Sequence, residues 1–218
     1  SSMMAAQTAS SDGAAAASGG SLNRMRAQNL TIRSKGQTGV VDLGGGAAVD
    51  GLSAKEIATR INAQSNYTGG VGARAETYAF LSLGTAGTTQ ASINFKLNGQ
   101  SISAYSSSTA SDVDGLVTAI NDASGKTGVV AQKVDVPGSA GTFRVQLFAA
   151  DGSDIKIQEA SVTTSNTAGA TWGGASIMTV QGAYDSNGTI TAAGATAAGA
   201  TAAGSITLNS GGATANRN

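Results

Sequence analysis

The chain has 218 residues, with 13 Lys and Arg, 13 Asp and Glu, and a formal net charge of zero. This neutral balance indicates neither a nucleic-acid partner nor an anionic membrane surface, and no apolar run approaches the roughly 20 residues of a membrane helix. Because Cys and His are absent, disulfides and thiolate metal sites are excluded, and the commonest general base is missing.

Residues 1–28 are predicted to be a linker. They are small and polar, and the alanine run at 14–17 has no apolar stripe to bury. The first residues also lack the basic region and apolar core of a cleavable signal peptide. We therefore expect this segment to lead into the first folded unit, and any secretion to proceed without a cleavable signal.

The first unit is predicted over residues 29–88. Alternating apolar residues at 30–33 and 40–43 predict the two strands of a hairpin. A helix is predicted to follow, and then a long strand over 71–83.

The second unit is predicted over residues 89–160 and repeats that order. Alternation at 93–97 predicts a strand. Asn98-Gly99 is the strongest short hairpin signal in the chain, because both residues tolerate the positive φ of a type I′ turn. The strand after the second helix is predicted over 129–136.

Each unit is predicted to contain one amphipathic helix. Ser53 and Glu56 have the spacing of a capping box, and Asp112 is predicted to cap the second helix in the same way. Each helix is expected to bury one apolar face. These faces comprise Ala54, Ile57, Ala58 and Ile61 in the first helix, and Val113, Leu116, Val117 and Ile120 in the second.

A further hairpin is predicted at the end of the second unit. Its strands would be residues 142–149 and 154–158, and they would be joined around Asp151-Gly152. Asp-Gly is a frequent dipeptide in tight hairpin turns, which favours this interpretation.

Residues 161–218 are predicted to form a return segment rich in Ser, Thr, Gly and Ala. Short strands at 189–191 and 206–208 are predicted to pair with each other across a low-complexity loop. Trp172 is interpreted as a local packing anchor and not as a ligand platform.

These patterns together predict an α+β fold. It consists of two repeated β-hairpin–helix–strand units with antiparallel sheets, followed by a β-rich, low-complexity tail. Aromatic residues make up 4% of the chain, so large core side chains are scarce and we expect thin, local cores.

A nine-residue pattern, Ile-Asn-x-x-Ser-x-x-Thr-Gly, occurs twice, and 59 residues separate the copies (position 61 to position 120). The matched residues are Ile61, Asn62, Ser65, Thr68 and Gly69, then Ile120, Asn121, Ser124, Thr127 and Gly128. The repeated Asn has two interpretations, either paired ligand contacts or hydrogen bonds to backbone near the helix end. The shared local context of both copies favours the second, and the repeat predicts one supersecondary unit used twice.

No pattern in the chain predicts catalysis. The glycines at 44–46 lack the Gly-Lys-Ser/Thr ending of a phosphate loop. Asp151, Ser153 and Asp154 resemble half of a calcium loop, but Val162 stands where an EF-hand requires Glu. We therefore expect no enzyme activity, no cofactor and no metal.

Several segments around the repeat resemble the surface-exposed middle region of bacterial flagellins, in which a motif built around Ile-Asn recurs. The resemblance spans about residues 19–160 and is most specific in the two repeats. The supporting segments are residues 19–23 before 29–32, the capped helix at 54–58, residues 95–99 and residues 150–157. The first copy departs from the second by one extra glycine, Gly70.

The resemblance implies a structural subunit of the flagellar filament that supports motility. It implies an extracellular location and self-assembly into a helical homopolymer, through core segments outside this sequence. Glycans on Ser and Thr, for example at 106–109 and 161–167, are compatible with it. Two alternatives stay open: a filament-cap or hook-associated protein domain, and an extracellular carbohydrate-binding or adhesive module.

Overall fold

The computed structural model consists mainly of antiparallel β-sheets with three short helices among the described residues. The described residues are 3–5, 28–43, 52–83, 91–106, 112–164, 176–182, 187–191, 200–202 and 205–209. The glycines at 44–46, Trp172 and the alanine-rich repeats near 193–199 lie outside them. The predicted α+β class agrees with this content.

Sixteen elements follow one another along these residues. The helices are α1 Ala54–Ala63, α2 Asp114–Asp122 and α3 Ser124–Thr127. The strands are β1 Met3–Ala5, β2 Gln28–Ser34, β3 Gln37–Leu43, β4 Gly72–Leu83, β5 Ala91–Leu97, β6 Gln100–Ser106, β7 Val129–Val136, β8 Ser139–Ala149, β9 Ile155–Thr164, β10 Ser176–Gly182, β11 Asn187–Thr191, β12 Ala200–Ala202 and β13 Ser205–Asn209.

The strands form three sheets. In the largest, β1, β13, β4, β10 and β11 are neighbours in that order, and β8 links β4 to β7. A four-stranded sheet has the order β12-β9-β5-β6, and β2 pairs with β3 alone among the described residues.

The first hairpin predicted in each unit forms. β2 and β3 are joined by the two residues Lys35 and Gly36, whose φ angles of 50° and 76° are those of a type I′ turn. Asn98 and Gly99 join β5 to β6 with φ angles of 47° and 83°. The first connection is shorter than the interval of residues 34–39 between the predicted strands, because both strands extend to the turn.

The first helix has the predicted cap and buried face. The Ser53 hydroxyl accepts a hydrogen bond from the Glu56 amide at 3.2 Å. The predicted face, Ala54, Ile57, Ala58 and Ile61, is buried. The Arg60 guanidinium donates to the Asp42 carbonyl at 2.8 Å, which ties the helix to β3.

The second helix begins slightly later than predicted. Val113 occupies the N-cap position and α2 starts at Asp114, so the predicted cap at Asp112 is displaced by one residue. Leu116 and Ile120 are fully buried on the predicted face, whereas Val117 is half-buried.

The hairpin predicted around Asp151-Gly152 is wrong. β8 pairs with β4 and β7, whereas β9 pairs with β5 and β12, so the chain crosses from one sheet to another at this turn. The hairpin partner of β8 is β7, and Pro137 and Gly138 form their connection. A local turn signal identified a change of direction here, but it carried no information about which strand would be the neighbour.

The predicted pairing between 189–191 and 206–208 is also wrong. β11 pairs with β10, and β13 pairs with β4 and β1. Strand β1 lies inside the segment predicted as a linker. The return segment therefore contributes strands to sheets that the earlier residues begin.

The described apolar side chains form two cores. The smaller core comprises Ile32, Val41, Leu43, Leu52, Ile57, Ala58, Ile61, Val71, Ile206 and Leu208. The larger core lies between α2 and the sheets of β4, β8, β10 and of β5, β6, β9, and includes Leu81, Ile93, Leu116, Ile120, Leu147 and Met178. Strand β4 runs past both cores, since its first half pairs with β13 and its second half with β8 and β10.

Candidate functional site

The two copies of the repeated pattern lie where a helix ends and the chain turns into the next strand. Asn62 accepts a hydrogen bond from the Ala73 amide at 2.7 Å and donates to the Ala73 carbonyl at 2.9 Å. Asn121 makes the same two bonds with Ala131, also at 2.7 and 2.9 Å. Each side-chain amide therefore holds one residue of the following strand at both of its backbone polar groups.

The Asn partner differs from the one that the sequence favoured. The bonds reach the strand ten or eleven residues further along the chain, and not the backbone of the helix end. The extra glycine of the first copy explains the different spacing. With Gly70 inserted, the loop from Asn62 to Ala73 is one residue longer than the loop from Asn121 to Ala131.

The Ser of the pattern and a glycine close each turn, and that glycine is the extra Gly70 in the first copy and Gly128 in the second. The Ser65 carbonyl accepts from the Gly70 amide at 2.9 Å, and the Ser124 carbonyl accepts from the Gly128 amide at 2.9 Å. Gly69 and Gly128 have φ angles of 73° and 74°, in the left-handed region that favours glycine. α1 ends at Ala63 with Gln64 as its C-cap, and α3 ends at its C-cap Gly128. The two turns then lead the chain toward β4 and β7.

The Ile and Thr of the pattern are interior residues. Ile61 and Ile120 are both 0% exposed, in the smaller and the larger core respectively. Thr68 and Thr127 are buried as well, and both hydroxyls bond to nearby backbone. The pattern thus combines an apolar anchor, an amide clamp on the next strand and a glycine reversal.

Each reversal is also attached to the turn of its own hairpin, through different contacts. The Gly69 amide donates to the Gln37 side chain at 3.1 Å. In the second copy, the Asn98 side chain donates to the Thr127 carbonyl at 3.1 Å. Asn98 also accepts from the Lys156 amide at 2.8 Å, so it connects the β5–β6 turn to β9.

A second cluster of polar residues lies at the start of α1. Its cleft is lined by Ser53, Lys55, Glu56, Asn98, Gly99, Ser153, Asp154 and Lys156. The Gly152 carbonyl accepts from the Lys55 amide at 3.0 Å, and Lys55 Nζ lies 3.2 Å from Asp151 Oδ2. The β8–β9 turn is therefore fixed against the first turn of α1, an attachment that the sequence did not predict.

The Asp151 carboxylate is used within this turn. Burial raises its pKa, but hydrogen bonds from the Ser153 amide and hydroxyl, together with Lys55, outweigh burial and lower the pKa below its usual value near 3.8. The Ser153 amide donates to Asp151 Oδ1 at 2.9 Å. These contacts are those of a turn closed by an aspartate and a salt bridge.

Among the described residues, no group of three His, Cys, Asp or Glu side chains could hold a metal ion. In the same part of the chain, no helix is long and apolar enough to cross a membrane.

Solved structures with similarity to this chain include two of a flagellar cap protein. No family model matches the sequence, and no curated protein matches it. The D2-D3 domains of the flagellar cap protein FliD from Escherichia coli match with 14% identity and a TM-score of 0.27, over 64% of this chain and 94% of that one. The D1-D2-D3 domains of the same cap protein match with 15% identity and a TM-score of 0.29, over 63% of this chain and 50% of that one. Both TM-scores are too low to carry an assignment of fold or function.

Proposed function

We propose that this chain is the outer, surface-exposed region of a bacterial flagellin, a structural subunit of the flagellar filament. The proposal is carried by the duplicated Ile-Asn pattern, in which the sequence resemblance to flagellins is most specific. The polymerising core segments would lie outside this sequence, and the partner would be further copies of the same protein. The location would be extracellular, on a filament used for motility.

The local geometry of the two patterns supports a structural role. Asn62 and Asn121 each use the amide oxygen and the amide nitrogen on the backbone of one Ala residue, at matching distances. Ile61 and Ile120 are anchored in cores. These side chains are occupied within the fold, which favours architecture over ligand binding.

The proposal includes two copies of one hairpin–helix–strand unit. In the first region the order is β2, β3, α1, β4, and in the second it is β5, β6, α2 with α3, β7. The helix-to-strand clamp has the same bonds in both. A repeated rigid unit is suited to an outer domain, because such a domain keeps its shape while projecting from a moving filament.

The location of the chain on the native assembly tests this proposal. Antibodies raised against the purified chain, with gold-labelled secondary antibodies, would be applied to intact cells and viewed by electron microscopy. We expect label along the whole shaft of the filament. Label confined to the tip or to the hook junction would replace flagellin with the cap or hook-associated alternative, and unlabelled filaments would reject all three.

A glycan-array measurement on the purified chain separates the adhesive alternative. We expect no saturable binding to any sugar. Saturable binding with shaft labelling would add a second role, whereas saturable binding without filament labelling would favour the adhesive module.

A further inference from the structure

Among the described residues, the hairpin of the first region lacks a neighbouring strand that the hairpin of the second region has. In the second region β5 lies between β6 and β9, with Ile93 opposite both Ala104 and Val162. In the first region β2 pairs with β3, and no other described strand pairs with β2. One edge of β2 is therefore open within the described part of the chain.

The strands that follow the helices, β4 and β7, have equivalent neighbours in the two regions, so the difference concerns β2 and β5 specifically. β7 pairs with β8, and Ala131 lies opposite Leu147. β4 pairs with β13, and Ala73, which the equivalent Asn clamps, lies opposite Leu208. The strand beside the clamped residue is thus present in both regions, whereas a strand beside the first hairpin strand is seen only in the second region within the part of the chain that the structure describes.

The turn geometry identifies the backbone groups that face the open edge. Ser34 and Gln37 flank the two-residue type I′ turn, so they form a hydrogen-bonded pair. Hydrogen-bonding direction alternates along a strand, and even-numbered residues of β2 therefore bond toward β3. The amides and carbonyls of Asn29, Thr31 and Arg33 point to the open edge, which is a template for another strand.

We propose that this edge pairs antiparallel with β2 of a second copy of the chain, about a two-fold axis at Thr31. In this register Thr31 lies opposite its own copy, and Asn29 lies opposite Arg33 of the other. Leu30 lies opposite Ile32 of the other copy. Both residues are on the face of the sheet that is turned to the core, where Ile32 is 5% exposed. The contact is new with respect to the filament-core contacts of the proposed function and does not depend on a flagellar role.

Two observations select a second copy as the occupant. First, the pairing of β5 with β9 places apolar residues opposite apolar ones (Ile93 with Val162) and polar residues opposite polar ones (Asn94 with Ser161). The proposed pairing of β2 with its own copy does the same. Second, no like charges meet, because Arg33 is the one charged residue of β2 and lies opposite Asn29 of the other copy. The combined sheet β3-β2-β2-β3 would have four strands, as the sheet of the second region has.

Disulfide trapping of the full 218-residue chain tests the register directly, because the chain has no Cys of its own. In a hydrogen-bonded antiparallel pair the two Cα atoms at position 31 would be about 5.5 Å apart, within disulfide range. We expect Thr31→Cys to form a covalent dimer under mild oxidation at least tenfold faster than Thr38→Cys. Thr38 is an exposed residue on the neighbouring β3, opposite Arg33. Its two copies would be separated by about three strand spacings across the sheet and four residues along it, or ~20 Å.

Sedimentation equilibrium adds a test without oxidation. Proline at position 31 removes an amide that points away from β3, so we expect Thr31→Pro to keep the fold but raise the dimer dissociation constant at least tenfold. Thr31→Val keeps the amide and should leave the dimer unchanged. Equal trapping rates for the two Cys variants, or a wild-type chain that stays monomeric at ~0.5 mM (a weak contact by interface standards), would overturn the proposal. Exchange-protected Thr31 and Arg33 amides in that monomer would instead assign the edge to another segment of the same chain.

Discussion

The two helix-to-strand junctions share a glycine in the left-handed region, but they differ in length by Gly70 and in their surroundings. Gly69 and Gly128 differ by 1° in φ, at 73° and 74°. A methyl group added to Gly69 would lie 2.6 Å from the Ser34 carbonyl oxygen, whereas nothing lies within 4 Å of the equivalent position at Gly128. The pattern therefore specifies the conformation of this glycine. How tightly the glycine is packed depends on the distance between the glycine and the neighbouring hairpin.

Replacement of these two glycines should give the largest effect and separate conformation from packing. Gly128→Ala should lower the free energy of unfolding by about 1–2 kcal/mol, the cost of a left-handed conformation for an L-residue. Gly69→Ala has the same conformational cost and also collides with backbone that cannot rotate away, so we expect a loss of about 3 kcal/mol or more. Urea unfolding of the two variants measures the difference.

A matched control is available in the same hairpin. Gly36 has a φ of 76° and nothing within 4 Å, so Gly36→Ala should resemble Gly128→Ala. If Gly69→Ala and Gly128→Ala lost equal free energies of unfolding, the contact with Ser34 would be relieved at no cost. The proposed difference in packing between the two junctions would then be wrong.

The two Asn clamps should give equal, intermediate effects. Asn62→Ala and Asn121→Ala each remove two hydrogen bonds and leave the amide and carbonyl of one Ala without that partner. We expect each to cost about 1–2 kcal/mol, because both Asn side chains are exposed and water replaces part of what is lost. Urea unfolding of both single variants and the double variant should show additive losses, since the sites share no contact.

Replacement of each clamp Asn by Asp is a second way to compare the two junctions. Asn62→Asp and Asn121→Asp keep the acceptor for the Ala amide but place a carboxylate against the Ala carbonyl. Each should be at least as costly as the Ala replacement at neutral pH and should recover as the carboxylate is protonated. A large loss at one Asn with none at the other would mean that the clamp works in only one junction.

Features set by neighbours in sequence were predictable. The cap at Ser53, the buried face of α1 and the type I′ turn at Asn98-Gly99 depend on residues a few positions apart, and all three form. The strand order was not predictable in this way. β8 and β9 flank a turn signal, yet they lie in different sheets, where β8 pairs with β4 and β9 with β5, strands that are distant in the sequence.

The candidate site shows the same limit. The repeated pattern singled out Asn62 and Asn121, and the position of both near a helix end indicated hydrogen bonds to backbone. Their partners were hidden because Ala73 and Ala131 have no distinctive side chain and are contacted through backbone. One signal was available: the extra Gly70 adds one residue before the strand, as the longer Asn62–Ala73 spacing requires.

The starts of the two main helices give the smallest predicted effect, through salt bridges of opposite polarity. In α1, Lys55 pairs with Asp151 of the β8–β9 turn at 3.2 Å, and in α2, Asp114 pairs with Lys133 of β7 at 3.1 Å. The two side chains of the first pair are 55% and 49% exposed, so solvent screens it and we expect a contribution of at most a few tenths of a kcal/mol.

The pH dependence of this contribution has a definite sign. Because the pKa of Asp151 is lowered in the folded state from its usual value near 3.8, its contribution to stability is fully present above that value. It is lost as the pH falls from there through the lowered pKa. Thermal unfolding should therefore show Asp151→Asn slightly less stable than the unmodified chain at pH 7, with the gap closing as the pH falls below 3.8. The exposed Asp135 of β7, changed to Asn, is the control; a gap for Asp151→Asn that stays constant down to pH 2 would assign its effect to turn geometry instead of charge.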